Sequence, residues 1–358
     1  MNKKKFGLPI IISLIFILLY VIFAAKPLAK EYQITPEWKI SISNPAISSS
    51  DKEQMYFHLG QTLGYFTEDG TITNFKSFPS KTSISDVYYT TYNSSCKNTP
   101  FYFANGELAG TIEHEGYPYF IDDLIFLMLP GGNSFSKCKD DGQIDWTYEG
   151  IMPITAFSSN ENYTAAGFAD GSISIFNNED GSISSTFAPG GSDYPVILGI
   201  DISQDGQYVA SISGHGQQRF VLSHKEENQQ KIIYHTFLTS DSPYQTLVYF
   251  CKDGKRVLYN YQNKLGIYDF IKKENAIINL ESKLIKIEEN NNFIFLLGKN
   301  KKEYTVSIIE KTNTLLGRFS FTANTAFIHT KDNNLYVGKD STISKLTISN
   351  DYEKDPED

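Results

Sequence analysis

The chain has 358 residues, enough for one large domain or two ordinary ones. Its formal charge of −9 argues against a nucleic-acid binder held by phosphate contacts. Its three cysteines, Cys96, Cys138 and Cys251, are too few for a disulfide scaffold and form no zinc-type Cys/His cluster. Aromatics reach 14%, with 25 Phe and 23 Tyr, and such residues suit pleated, half-buried surfaces, so the composition points to an all-β protein. The acidic excess is uneven: 26 to 200 holds 9 basic and 21 acidic residues, whereas 201 onward holds 20 of each. Solubility accounts for this; an acidic face towards a basic partner is the sharper alternative.

Residues 1–5 are a basic start. Phe6 to Ala25 then runs for twenty residues without a charge, long enough to cross a bilayer as a helix. The three preceding lysines orient the N-terminus inside. The expectation is a single-pass anchor over 6–25 in the cytoplasmic membrane, with the remainder on the periplasmic or extracytoplasmic side. A cleaved signal peptide is the rival, but its apolar core would be shorter, and Phe23 or Pro27 would stand at the minus-three position. Residues 26–37 form a polar linker. Trp38 to Ser43 alternates as one isolated strand, expected to complete the last sheet of a closed ring.

Ile154 to Phe187 reads as four short strands, at 154–157, 163–168, 172–176 and 182–187, with Asp170-Gly171 and Asp180-Gly181 as turns. A unit of about 40 residues with four strands is the signature of a β-propeller blade. Further units start near Gln54, Ile84, Tyr117, Val196, Tyr244 and Leu284. Ala323 to Ile348 supplies only three strands, and the strand at Trp38 provides the fourth. The count gives eight blades over 38–349; the irregular stretch from Ala46 to Gly150 keeps seven open. Residues 350–358 are an acidic tail. Outside the anchor no segment carries a sustained helical period, which disfavours folds built on crossover helices.

VILGIDISQDGQYVASISG and TLVYFCKDGKRVLYNY resemble the WD-repeat pattern, and AAGFADGSISIF is similar to its next strand pair, although the terminal Trp-Asp is absent. FIDDLIFLMLPGGNSFSKCKDDGQIDWTY resembles a quinoprotein-type (PQQ-like) repeat, with Gly142 and Trp146 as its Gly-x-x-x-Trp. The resemblance implies a propeller over roughly 38 to 349 and does not by itself imply an activity. Membrane-attached quinoprotein dehydrogenases would want adjacent cysteines, a tryptophan under the cofactor and a calcium-binding acidic set. This sequence has no adjacent cysteines and only Trp38 and Trp146 as tryptophans, so no cofactor is expected. Similarity to quinoprotein-like outer-membrane assembly lipoproteins implies a role in envelope assembly, though no lipid-attachment cysteine follows the apolar segment.

The six histidines show no metalloprotease spacing. Gly214-His215-Gly216 sits at a hairpin, which makes His215 a candidate for lining the central channel, or a turn histidine made tolerable by glycines. The Asp-Gly pairs at Asp69, Asp141, Asp170, Asp180, Asp205 and Asp253 are explained by turn chemistry; a calcium loop would need a denser acidic set. Cys96 and Cys138 lie in the irregular units and are candidates for a disulfide outside the cytoplasm. Cys251 reads as a small buried residue. Tyr88, Tyr89, Tyr92, Tyr117 and Tyr119 are candidate interface residues, with core packing as the alternative. The function expected is a non-catalytic scaffold that binds another envelope protein. The alternative is a propeller enzyme, or a sensor of a small ligand or carbohydrate, with its site in the channel.

Overall fold

The computed structural model describes residues 13–20, 32–93, 97–227, 229–240 and 242–350. Two units divide the chain. The smaller comprises Met1–Thr35 and Ile348–Asp358. In it, residues 13–20 are helical and expose Leu14, Phe16 and Leu18. Among the described residues no helix is long and apolar enough to cross a membrane. Most of the expected anchor over 6–25, and the tail from 351, lie outside the described residues.

The larger unit, Pro36–Thr347, is a ring of eight antiparallel sheets. The blades cover 54–77, 81–112, 117–148, 154–187, 197–237, 248–279 and 283–322. The eighth joins strands Ala326–Lys331, Asn334–Lys339, Thr342–Asn350 and Tyr32–Ser41. The early strand does complete the last blade, and the count is eight. Seven sheets have four strands; the first has three. In the fourth blade the expected strands are observed at Ile154–Ser159, Tyr163–Phe168, Ile173–Asn177 and Ile183–Phe187. Sequence pattern follows position within a blade. Middle strands such as Arg256–Tyr261 are buried at every residue, because neighbouring blades cover both faces. Outer strands such as Glu274–Asn279 alternate exposed and half-buried residues.

Here the upper rim is where the inner strands of the second to eighth blades begin, and the lower rim where they end. Neighbouring inner strands run in the same direction: Ser83 Oγ accepts from Phe120 N–H at 2.9 Å, and Ser85 Oγ donates to Asp122 O at 2.6 Å. The first blade departs from this. Its strand Gln54–Leu59 runs opposite to Ala326–Lys331, because Phe57 stacks on Phe327 at 6.4 Å while Glu53 pairs with Lys331 at 2.7 Å. Its remaining strands, Thr62–Thr67 and Ile72–Ser77, are joined by an Asp69-Gly70 turn. In the fourth blade the corresponding Asp180-Gly181 turn joins the two outermost strands. The strand the first blade lacks is therefore the innermost.

Both tryptophans do the same job. Trp38, on the outer strand of the eighth blade, donates its indole N–H to Glu68 O at 3.1 Å and covers Gly70. Trp146, on the outer strand of the third blade, donates to Asn178 O at 3.0 Å and covers Gly181. Each glycine has positive φ (+85° and +71°), and a Cβ would approach the ring to 3.3 and 2.6 Å respectively. Only glycine lets the turn form and the indole sit on it. At the seam Trp38 also packs on Tyr336 at 6.0 Å, within a cluster that includes Ile42, Phe57, Phe66 and Phe327.

Polar clamps tie consecutive blades. Asn160 Nδ2 donates to Ser203 O at 2.8 Å, and Asn290 Nδ2 donates to Asp332 O at 2.7 Å. Asp201 bridges three blades: it accepts from Ser158 Oγ at 2.5 Å and from Phe250 N–H at 2.6 Å. Burial pushes Asp201 up to about 6, against these hydrogen bonds, which favour its charged form. The six Asp-Gly aspartates accept from the N–H two residues on, as at Asp170–Ser172 and Asp180–Ser182 (2.9 Å each). Turn chemistry therefore occupies the carboxylates that had invited a calcium reading.

Two predictions follow from this packing. Trp38→Ala should cost about 3 kcal/mol and accelerate unfolding from the seam, read by urea titration and stopped-flow; an unchanged midpoint refutes the lock. Asp201 holds its proton more tightly folded than unfolded, so it adds about 1 kcal/mol as pH falls from 7 to 5. Over that window the wild-type melting temperature should rise by a few degrees relative to Asp201→Asn. Parallel curves would remove the assignment. Below about pH 4 both proteins should lose stability, because hydrogen bonds hold Asp69, Asp170 and Asp180 below their ordinary values and that contribution is lost as they protonate.

Candidate binding site in the central channel

The inner strands of the third to seventh blades enclose a well of about 830 Å³, walled by Tyr119, Phe157, Leu198, Val248, Tyr249 and Leu284. Its polar features are few. Asp201 faces it, Gln245 Nε2 donates to Thr155 O at 2.7 Å, and Thr246 Oγ is buried without a hydrogen-bond partner. The loops leading into these inner strands, at the upper rim, expose large apolar side chains. Ile151 is 89% exposed, Tyr194 67% and Tyr244 66%; Met152 is also exposed, as is Ile285 near the start of the strand Lys283–Glu289. Lys283 Nζ lies 5.2 Å above the Tyr244 ring. These exposed apolar groups all stand on the upper rim, and Ile285 also lines the well.

The lower mouth is polar. A pocket of about 340 Å³ is lined by Gln54, Tyr56, Asp86, Glu288 and His329, among others. Lys286 Nζ donates to Tyr56 OH and pairs with Glu288, both at 2.9 Å. Burial alone would lower the Lys286 pKa, but Glu288 and Tyr56 outweigh it and raise it. Asp86 is raised by burial, with His329 opposing. His329 lies 3.9 Å from Asp86 and 3.8 Å from Glu288. These groups come from the first, second, seventh and eighth blades, so the network ties the ring where the inner strand is missing. A lysine held protonated in this way is a poor nucleophile.

The residues singled out in the sequence fare differently. Tyr88 and Tyr89 are not interface residues: both are buried, Tyr88 against Phe101 and Tyr89 stacked on Tyr102. Two consecutive aromatics on a middle strand face opposite neighbours, and both faces are covered. Tyr92 and Tyr117 are half-buried with rings 6.3 Å apart, and Lys81 lies over Tyr117. Tyr119 is 42% exposed and lines the well. His215 is exposed at the upper rim, where its N–H donates to Tyr194 O at 3.0 Å; it lines neither channel cavity. Cys138 and Cys251 are buried free thiols, with Cys138 pushed up to about 12 by burial. Cys96, the expected partner of Cys138, lies outside the described residues. Sequence reasoning missed Ile151, Tyr194 and Tyr244. A signal existed: each stands beside or near a proline (IMP, DYP, SPY) just before an inner strand.

A family model described as "beta-propeller protein" matches residues 1–351. A Treponema pallidum (strain Nichols) protein described as uncharacterized is 25% identical, covering 97% of this chain and 95% of its own. Among solved structures, BamB from Moraxella catarrhalis is similar at a TM-score of 0.61 and 14% identity, over 88% of this chain and 98% of that one. The computationally designed Ika8 protein is similar at 0.58 and 12%, over 86% and 99%. At these identities the structural likeness speaks for the fold. With the family match spanning nearly the whole sequence and eight sheets closing on an N-terminal strand, the chain belongs to the β-propeller protein family.

Proposed function

We propose that this propeller is a non-catalytic scaffold, tethered to the cytoplasmic membrane through residues 6–25, that binds another protein of the cell envelope with its upper rim. The carrying observation is the set of exposed side chains Ile151, Met152, Tyr194, Tyr244 and Ile285 on the upper rim, where Ile285 also lines an apolar well. Tyrosine and large apolar groups bordering a pocket are what a docked protein anchor uses. The uncharged twenty-residue run behind three lysines supports the tether. The fold shared with BamB, and the resemblance of the sequence to quinoprotein-like assembly lipoproteins, support an envelope role. A second reading, a sensor of a small apolar ligand, is favoured by the size of the well, about 830 Å³.

Affinity capture from detergent-solubilised membranes separates these readings. The wild type should retain a stoichiometric protein, and Ile151→Asp with Tyr244→Asp should retain at least tenfold less at unchanged melting temperature. Turnover on a substrate panel with no stoichiometric partner would sink the scaffold reading. Alkaline extraction should leave the full chain in the membrane pellet and release a chain lacking residues 1–25.

A further inference from the structure

The first blade lacks its inner strand, which leaves an open β-edge in the wall of the channel. Among the described residues no strand pairs with the second edge of Gln54–Leu59. The two-residue turn Gly60-Gln61 pairs Leu59 with Thr62, and such a turn closes on a hydrogen-bonded pair. By alternation Met55, Phe57 and Leu59 bond to the neighbouring strand. The N–H and C=O groups of Gln54, Tyr56 and His58 then point to the open edge. Tyr56 N–H bears this out: it donates to the Asp86 side chain at 3.3 Å, not to a strand. The pocket of about 340 Å³ lies directly beside Gln54, Met55 and Tyr56.

Charge indicates what fits there. The lower-rim turns of the second to fourth blades, at 85–87, 104–107, 122–123, 139–143, 160–162 and 178–182, carry nine carboxylates against one lysine. The pocket itself is lined by four carboxylates, Glu53, Asp86, Asp122 and Glu288, against two lysines, Lys252 and Lys331, the latter paired with Glu53. Open edges are templates for pairing, and proteins use them to capture extended segments through main-chain bonds.

We propose that the inner edge of Gln54–Leu59 docks an extended, lysine- or arginine-bearing segment of a partner polypeptide, which takes the place of the missing inner strand. The main-chain groups of Gln54, Tyr56 and His58 supply the ladder. Asp86 and Asp122 select the basic side chains, with Asp86 released from Tyr56 N–H as the ladder forms. This site is separate from the apolar upper rim, so Ile151→Asp should leave it intact.

The probe is a blocked eight-residue peptide alternating valine with lysine or threonine, titrated against the full chain. It should bind, and should slow amide exchange at Gln54, Tyr56 and His58. N-methylation of its alternate, edge-facing amides should weaken binding at least tenfold. A glutamate-for-lysine version should be weaker by a similar factor. Gln54→Pro removes one edge N–H without touching the ladder to Thr62–Thr67 and should weaken binding several-fold. Asp86→Asn should lower affinity for the lysine peptide but not for an uncharged valine/threonine peptide. Equal binding of the N-methylated peptide, protection elsewhere, or no binding of any peptide would overturn the proposal. So would concentration-dependent protection of the edge without peptide, which would assign it to a second copy of the chain.

Discussion

Everything in this molecule depends on closing the ring where the early strand carrying Trp38 joins the eighth sheet beside Thr342–Asn350 and packs on the first blade. Each sheet has two apolar faces and can cover neither alone. In a row of such sheets the end blades would expose large apolar faces and open edges; a ring has no ends. The eighth blade closes with a strand taken from the other end of the sequence, so closure joins residues some 300 positions apart. Such a non-local contact forms only after most of the chain is ordered, at a high entropic cost. The packing of Trp38 on Tyr336 and the aromatic cluster of Phe57, Phe66, Phe327 and Tyr336 offset that cost at one place, while the indole N–H on Glu68 O fixes the early strand against the first blade.

Apolar stacking holds the blades together but is indifferent to small slides between them, because burial is not directional. The polar clamps supply direction. Side chains on the inner strands and lower-rim turns bond to the backbone of the next blade, as at Ser83–Phe120, Asn160–Ser203 and Asp201–Phe250. Backbone partners suit this task, since their positions are fixed by the sheet itself. The result is a lower rim crowded with polar and acidic groups. The upper rim, less occupied by clamps, carries longer loops that end in apolar side chains.

Much of the architecture could be read from the sequence because blade units repeat. Asp-Gly turns, alternating strands and the isolated strand at Trp38 each had a physical reason to be where they are. What could not be read was the consequence of stacking. Tyr88 and Tyr89 look like surface aromatics in an irregular unit, yet a middle strand is covered on both faces, so both are core. The channel network is illegible for a different reason. Tyr56, Asp86, Lys286 and His329 meet only because four blades converge on one axis, and no local spacing records that. His215 shows the converse: its glycine-flanked turn was correctly a hairpin, but a turn between middle strands lies away from the channel wall.

The first blade shows how one departure from the repeat reshapes a site. Because it begins with a strand running from the lower rim, its aromatic faces still stack on the eighth blade and the ring still closes. The departure falls on the channel side, where the edge of Gln54–Leu59 has no companion. A ring with eight complete blades would satisfy all inner main-chain groups internally and offer the channel only side chains. Here the network of Tyr56, Asp86, Lys286, Glu288 and His329 borders the gap and ties four blades together. Side chains can hold such a gap open but cannot supply a ladder of N–H and C=O groups. The first blade is therefore where the channel wall retains unused capacity to bond an extended chain.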